Sequence, residues 1–263
     1  MGELIFIGLG LYDEKDISLK GLEVAKRCDY LFAEFYTSKL TGTDISKVEK
    51  ILGKKIKVLG RKEVEDGEQI LKEAEKGRVG FLTAGDPMAA TTHVELRIRA
   101  EERGIATRIV HGSSVFTAVP ALLGLQHYKF GRTTSLVYPE DNFFPTSPYY
   151  VIKENKERGL HTLVLLDIDA EKERFMTIRE GIDILLEMEN RLKEGVISDD
   201  TIVCGVARAG SKKPIIKAGS ILEVRNFDFG PPLHTLVIVG KLHFMERKAL
   251  ETFAGLTREN RSV

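Results

Sequence analysis

Two kinds of apolar pattern alternate along the first part of the chain. Short, nearly continuous apolar runs at 4–7, 30–35 and 79–82 read as strands buried on both faces, joined by shorter ones at 57–59 and 107–110. Between them, apolar residues recur at helical spacing. Ser18 caps a helix through Arg27, and Asp44 starts one bearing Ile45, Val48, Ile51 and Leu52. A charged helix over 63–76 ends at Gly77. Thr91 or Thr92 caps a helix over 94–103 that carries Leu96, Ile98 and Ala100. Strand and helix in alternation predict a parallel, doubly wound sheet. An apolar helix over 115–123, capped by Ser113 or Ser114, is interrupted by Pro120.

After Gly124 the rhythm changes. A strand is predicted at 135–138, followed by an irregular segment over 139–148 with Phe143, Phe144 and three prolines. Such a loop serves function or plugs an apolar surface. A helix over 149–158 stops at Gly159, a strand occupies 161–168, and the longest amphipathic helix spans 177–193. Strands at 200–207, 215–217, 222–224 and 235–239 follow, then a helix over 244–253 and a polar, frayed tail from Thr257. Strands that succeed one another without intervening helices predict a mixed or largely antiparallel sheet. The expected organisation is thus α/β in two domains, 1–111 with a parallel sheet and 112–263 with a mixed sheet and helices.

Candidate chemistry gathers where the first domain's strands end. Val79-Gly80-Phe81-Leu82 runs into Thr83-Ala84-Gly85-Asp86-Pro87-Met88-Ala89-Ala90-Thr91-Thr92-His93, a turn of small residues in which proline bars a continuing strand. Asp86 and its neighbours are predicted to hold the polar end of a small cofactor; an ordinary βα turn with a solvated Asp is the alternative. The first strand stops at Gly8-Leu9-Gly10-Leu11-Tyr12-Asp13. A dinucleotide fingerprint needs glycine at the position of Asp13, so that motif fails, yet close backbone approach to a ligand is still implied. His111-Gly112-Ser113-Ser114-Val115 is a third strand-to-helix turn. Neighbouring parallel strands bring such turns to one carboxyl edge, where ligands of open α/β sheets sit.

Composition narrows the classes. Lys plus Arg and Asp plus Glu number 39 each, so no whole-molecule field draws the protein to nucleic acid or anionic lipid. Cys28 and Cys204 stand far apart beside apolar residues and read as core thiols of a reducing cytoplasm. The six histidines have no zinc-type spacing, and neither a phosphate loop nor a Gly-x-Ser-x-Gly elbow is present. No apolar run is long enough to span a bilayer, and the N-terminal run is too short for a signal peptide. The residues by themselves describe a soluble, intracellular α/β protein with a small-molecule cleft, suited to reactions that need positioning more than acid or base groups. A Rossmann-type oxidoreductase and a nucleotide sensor remain open at this point.

A set of segments in chain order resembles the tetrapyrrole-methylase-like methyltransferases that use S-adenosylmethionine. They are Gly8-Leu9-Gly10-Leu11-Tyr12-Asp13, Ala33-Glu34-Phe35-Tyr36-Thr37-Ser38, the Gly85 to His93 turn, Tyr138-Pro139-Glu140-Asp141-Asn142-Phe143-Phe144-Pro145-Thr146-Ser147, Glu154-Asn155-Lys156-Glu157-Arg158-Gly159-Leu160-His161-Thr162-Leu163 and Ala207-Arg208-Ala209-Gly210. Leu11-Tyr12-Asp13 replaces that family's usual Pro-Gly-Asp, and its other members rarely carry Ala90-Thr91-Thr92-His93. Both departures favour the branch serving diphthamide biosynthesis. The resemblance implies a cofactor between the two domains, touched by Leu11, Asp86, Ala89, Ser114, Val115, Leu166, Ala209 and His234. Apart from it, Leu166 and Ala209 read as core strand residues and His234 as a histidine at a surface end. It further implies methylation of a modified histidine on translation elongation factor 2 and a homodimer; from the residues, neither metal, nucleic acid nor membrane is expected. Methylation of a tetrapyrrole or of ribosomal RNA is the alternative within the class.

Overall fold

The computed structural model describes residues 2–140, 143–169 and 172–257. Its contacts divide the chain into two compact units, Met1–Val115 and Phe116–Val263, where the sequence reading divides it after 111.

In the first unit the elements run β1 (Glu3–Gly8), α1 (Leu19–Arg27), β2 (Tyr30–Glu34), α2 (Ile45–Leu52), β3 (Lys57–Val58), α3 (Arg61–Asp66), α4 (Glu68–Lys76), β4 (Arg78–Thr83), α5 (His93–Glu102) and β5 (Ala106–Val110). The sheet order is β3-β2-β4-β1-β5 and every pairing is parallel. Successive side chains of a strand face opposite ways. Leu4 and Phe6 of β1 therefore join one core with Phe81, Ile70 and Leu71, while Ile5 and Ile7 join another with Leu31, Leu82 and Val48. That double burial is why the strand reads as apolar throughout. Helix starts follow local chemistry: the Ser18 hydroxyl accepts from the Gly21 amide at 3.0 Å, and the Asp44 carboxylate from the Lys47 amide at 3.1 Å.

The single helix expected over 63–76 is two. Gly67, at φ +66°, is left-handed between α3 and α4, which only glycine adopts without strain, so the helical hydrogen-bond ladder stops there.

The second unit contains α6 (Val115–Leu123), whose first residue closes the first unit, then β6 (Thr134–Leu136), α7 (Ser147–Glu157), β7 (Thr162–Leu166), β8 (Ile168–Asp169), β9 (Arg174–Phe175), α8 (Ile178–Leu192), β10 (Ile202–Ala207), β11 (Ile215–Ser220), α9 (Ile221–Arg225), β12 (His234–Ile238) and α10 (Phe244–Phe253). Its sheet order is β11-β10-β12-β7-β6, antiparallel except for the parallel β6–β7 pair. A mixed sheet is thus present, as its closely spaced strands predict. Pro120 sits inside α6 without ending it.

Two further expectations are corrected. The strand over 161–168 breaks at Asp167, whose carboxylate accepts from the Tyr138 amide at 3.0 Å and whose carbonyl accepts from the Met176 amide at 2.9 Å. Residues 222–224 are helical, not extended. The Ser220 hydroxyl accepts from the Glu223 amide while the Glu223 carboxylate accepts from the Ser220 amide, a reciprocal cap that starts α9. Asp141 and Asn142 of the aromatic loop, and the tail beyond Thr257, lie outside the described residues.

The helix α10 is tied to this sheet by a buried ionic group. The fully buried Glu246 carboxylate accepts from the Gln126 amide (2.9 Å), the His243 amide (2.8 Å), the Lys129 ammonium (2.6 Å) and Nε2 of His161 (3.1 Å). Nδ1 of His161 accepts from the Gly240 amide, so Nε2 carries the proton and the imidazole is neutral. Burial raises the Glu246 pKa, but the four donors outweigh it and hold the group at about 2.

Candidate cofactor-binding site

Three turns converge because their strands are neighbours. β4, β1 and β5 lie side by side, and the chain leaves each at the carboxyl edge. Gly85 donates to the Gly10 carbonyl at 2.6 Å and accepts from the Gly10 amide at 3.3 Å, closing the first turn onto the second. A Cβ on Gly8 would stand 2.5 Å from the Gly112 nitrogen, and one on Gly112 would overlap the Gly85 carbonyl oxygen. Three backbones meet there with no room for a side chain, which is the physical use of these glycines. Gly10 and Gly85 have φ of +84° and +77°.

Asp86 locks the second turn to the third. Its Oδ1 accepts from the Met88 amide at 3.0 Å, and its Oδ2 accepts from Nδ1 of His111 at 2.7 Å and from the Gly112 amide at 3.3 Å. An ionised carboxylate only accepts, so Nδ1 of His111 is the protonated nitrogen. The Asp86 side chain is 14% exposed and that of His111 is 73% exposed, so the pair reaches the surface. Leu11 and Ala89 flank this junction half-buried, and Ser114 and Val115 lead into α6. Around Leu11, the Asp16 carboxylate gathers the Tyr12 amide at 2.7 Å and the Asp13 amide at 3.2 Å. The structure thus brings Leu11, Asp86, Ala89, Ser114 and Val115 into connected turns at one sheet edge. His111 is a member that the reading of the residues placed in a turn but did not pair with Asp86. A carboxylate and a histidine 25 residues apart gave no local signal.

Leu166, Ala209 and His234 gather at one end of the second sheet. Leu166 ends β7, His234 begins β12 opposite Ala207 of β10, and Ala209 follows β10 by two residues. His234 is buried rather than at a surface end, and the Ile178 amide donates to its Nδ1 at 3.2 Å. The proton is therefore on Nε2, which donates to the carbonyls of Gly230 (3.1 Å) and Pro231 (3.2 Å). Burial lowers its pKa and keeps it neutral. Arg208, at φ +53°, holds the same segment: its amide donates to the Leu233 carbonyl at 2.8 Å and its guanidinium to the carbonyls of Phe229 and Pro231. This supporting role was not legible in the sequence.

The cradle fits S-adenosylmethionine chemically. A Cβ at Gly85 would meet no atom within 4 Å, so open backbone faces outward from the clamped turn. Backbone donors and acceptors, the Asp86 carboxylate and the start of α6 match amino-acid and ribose groups. Among the described residues no group of three or more His, Cys, Asp or Glu could hold a metal ion, and no helix is long and apolar enough to cross a membrane.

Comparisons with known proteins show the family of the chain. Residues 3–224 match the model of the tetrapyrrole (corrin/porphyrin) methylases. A diphthine synthase of Methanocaldococcus jannaschii is 57% identical over 251 residues, covering 94% of this chain and 97% of that protein. One of Methanosphaera stadtmanae is 51% identical over 256 residues, with 97% of each covered. A crystal structure of diphthine synthase superposes with a TM-score of 0.90 at 37% identity, covering 98% of both chains. The chain belongs to the tetrapyrrole methylase family and, within it, groups with the diphthine synthases.

Proposed function

We propose that this protein transfers methyl groups from S-adenosylmethionine to the α-amino group of a 2-(3-amino-3-carboxypropyl)histidine on translation elongation factor 2. The product is the trimethylammonium residue, diphthine. The observation that carries the reading is the glycine junction at the carboxyl edge of β4-β1-β5, clamped by Asp86. Leu11, Asp86, Ala89, Ser114 and Val115 hold the cofactor in the first unit, and Leu166, Ala209 and His234 are its contacts in the second. The cofactor supplies a methyl carbon made electrophilic by a sulfonium, and S-adenosylhomocysteine is left. A free α-amine has a pKa of about 8, so a useful fraction is neutral near pH 7. The protein's task is then alignment of amine and methyl at about 3–3.5 Å, which needs no strong base. The free, buried Cys28 and Cys204 thiols support a reducing, cytoplasmic location, and the family resemblance supports a homodimer.

The test incubates the protein with methyl-labelled S-adenosylmethionine and, separately, the elongation factor bearing the aminocarboxypropyl histidine, a tetrapyrrole, and ribosomal RNA. Trimethylated histidine peptide in the mass spectrum is expected. Label in the tetrapyrrole or RNA instead would overturn the substrate, and tight NAD binding without S-adenosylmethionine binding would overturn the class.

A further inference from the structure

The Ala90-Thr91-Thr92-His93 stretch, which departs from the wider family's pattern, folds back onto the Asp86 turn. The Pro87 carbonyl accepts from the Thr91 hydroxyl at 3.1 Å and lies 2.9 Å from Nδ1 of His93. A carbonyl oxygen only accepts, so Nδ1 bears the proton and donates. His93 is 1% exposed, and its ring meets Phe81 of β4 edge-on with centroids 5.0 Å apart. This is not ordinary capping, because Thr92 occupies the N-cap position of α5 without a side-chain cap bond.

A second observation singles out the same place. Among the described residues four buried side-chain polar atoms lack a hydrogen-bond partner, and three are Nε2 of His93, Oγ1 of Thr83 and Oη of Tyr36. All three residues relate to one buried carboxylate, that of Glu34. Thr83 is registered beside Glu34 in the sheet, the Tyr36 amide donates to Glu34 at 3.0 Å, and Nε2 of His93 stands 3.6 Å from its Oε1. The carboxylate also accepts from the Thr37 amide and hydroxyl, and the Pro87 carbonyl is the hydrogen-bond partner of His93. Folded chains rarely leave such groups unpaired, and exceptions concentrate where function is served.

We infer that Thr91 and His93 are positioning residues for the cofactor turn: two donors on the Pro87 carbonyl hold the Pro87-Met88 peptide, whose Met88 amide donates to Asp86 Oδ1, so that the Asp86 carboxylate stays on His111 and Gly112. The inference rests on the proposed reading of this turn as the S-adenosylmethionine site. It explains why two donors converge on one carbonyl next to the clamp and why no cap bond is formed.

The test titrates the full chain with S-adenosylhomocysteine and measures KM, kcat and thermal midpoint. Thr91→Val removes one donor at nearly constant shape, His93→Leu removes the other, and His93→Asn restores a side-chain N–H. Losing one donor is expected to weaken cofactor affinity about three- to tenfold, the effect of a typical hydrogen bond. KM for the cofactor should rise more than kcat falls, and His93→Asn should return toward the wild-type affinity. Thr91→Val and His93→Leu binding like wild type, while Asp86→Ala binds weakly, would overturn the inference and leave the cofactor site standing. His93→Asn as impaired as His93→Leu, with matching losses of thermal midpoint and no effect of Thr91→Val on affinity, would reduce His93 to packing. Unchanged affinity in Asp86→Ala would remove the cofactor reading and this inference with it.

Discussion

Asp86 divides its work between its two oxygens. One closes its own turn on the Met88 amide, and the other reaches across to His111 and Gly112. Its acceptor capacity thus serves the cradle as well as any ligand. Asp86→Ala should lower cofactor affinity about ten- to a hundredfold, the range of charge-assisted hydrogen bonds at about 1.5–3 kcal/mol, and should also lower the thermal midpoint, because the Met88 and Gly112 amides lose this acceptor. Calorimetric titration beside a melting curve checks both. Ala209 is small, half-buried and next to the strained Arg208. If it borders the growing ammonium group, Ala209→Leu should stop the series at mono- or dimethyl products, read by mass spectrometry of the modified peptide. Wild-type levels of trimethylated product would exclude it. The loop aromatics separate: Phe144 packs on the second unit's core with the Arg191 guanidinium 3.9 Å from its ring centre, whereas Phe143 is 58% exposed. Phe144→Ala should therefore lower stability, and Phe143→Ala should lower turnover on the whole elongation factor. Turnover unchanged in Phe143→Ala would make the loop plain packing.

At the scale of elements, the sites are set by where strands and helices stop. β1, β4 and β5 end at one level, and the turns that follow touch through glycine backbone. Gly112→Ala should be destabilising by about 1–3 kcal/mol, as overpacking is, because the neighbour that must yield is the backbone carbonyl of Gly85. Chemical denaturation measures it, and a neutral result would mean the turns part readily. The Ser220–Glu223 cap makes a milder case. Ser220→Ala should cost about 1 kcal/mol and leave cofactor affinity untouched.

For the molecule as a whole, the buried Glu246 predicts how acid acts on the second unit. Its folded pKa, about 2, lies below the ordinary value of 4.5, so the ionised form is favoured by folding. That contribution is fully present above about pH 4.5 and is lost as pH falls toward 2. Its size is on the order of 3 kcal/mol, from 1.36 kcal/mol per unit of pKa. Unfolding followed from pH 6 to pH 2 should show this loss, and Glu246→Gln should be less stable at neutral pH with a flatter acid profile. A mutant with the wild-type profile would assign acid sensitivity elsewhere. Methyl transfer is expected to persist in EDTA; activity lost there and restored by one added metal would reveal a metal requirement.

Much of the architecture was legible from residues alone. Doubly apolar runs such as Leu4-Ile5-Phe6-Ile7 have only one comfortable place, between two helical layers, and the parallel sheet follows. Glycine and Asp86 after such a strand marked the edge where the turns meet for the same reason: chain ends of a parallel sheet expose backbone together. The misread elements turned on competing local signals. Helical spacing over 63–76 outweighed Gly67, and the apolar Leu222 and Val224 outweighed the Ser220–Glu223 cap. What no local pattern contained was the partner of each polar group. Asp86 finds His111 because β4 and β5 flank β1, and the buried His234 is satisfied by an amide at the start of α8. Hydrogen bonds are satisfied by whichever group folding brings within 3 Å. Their pairing, and with it the clamp on the Asp86 turn, belongs to the tertiary structure.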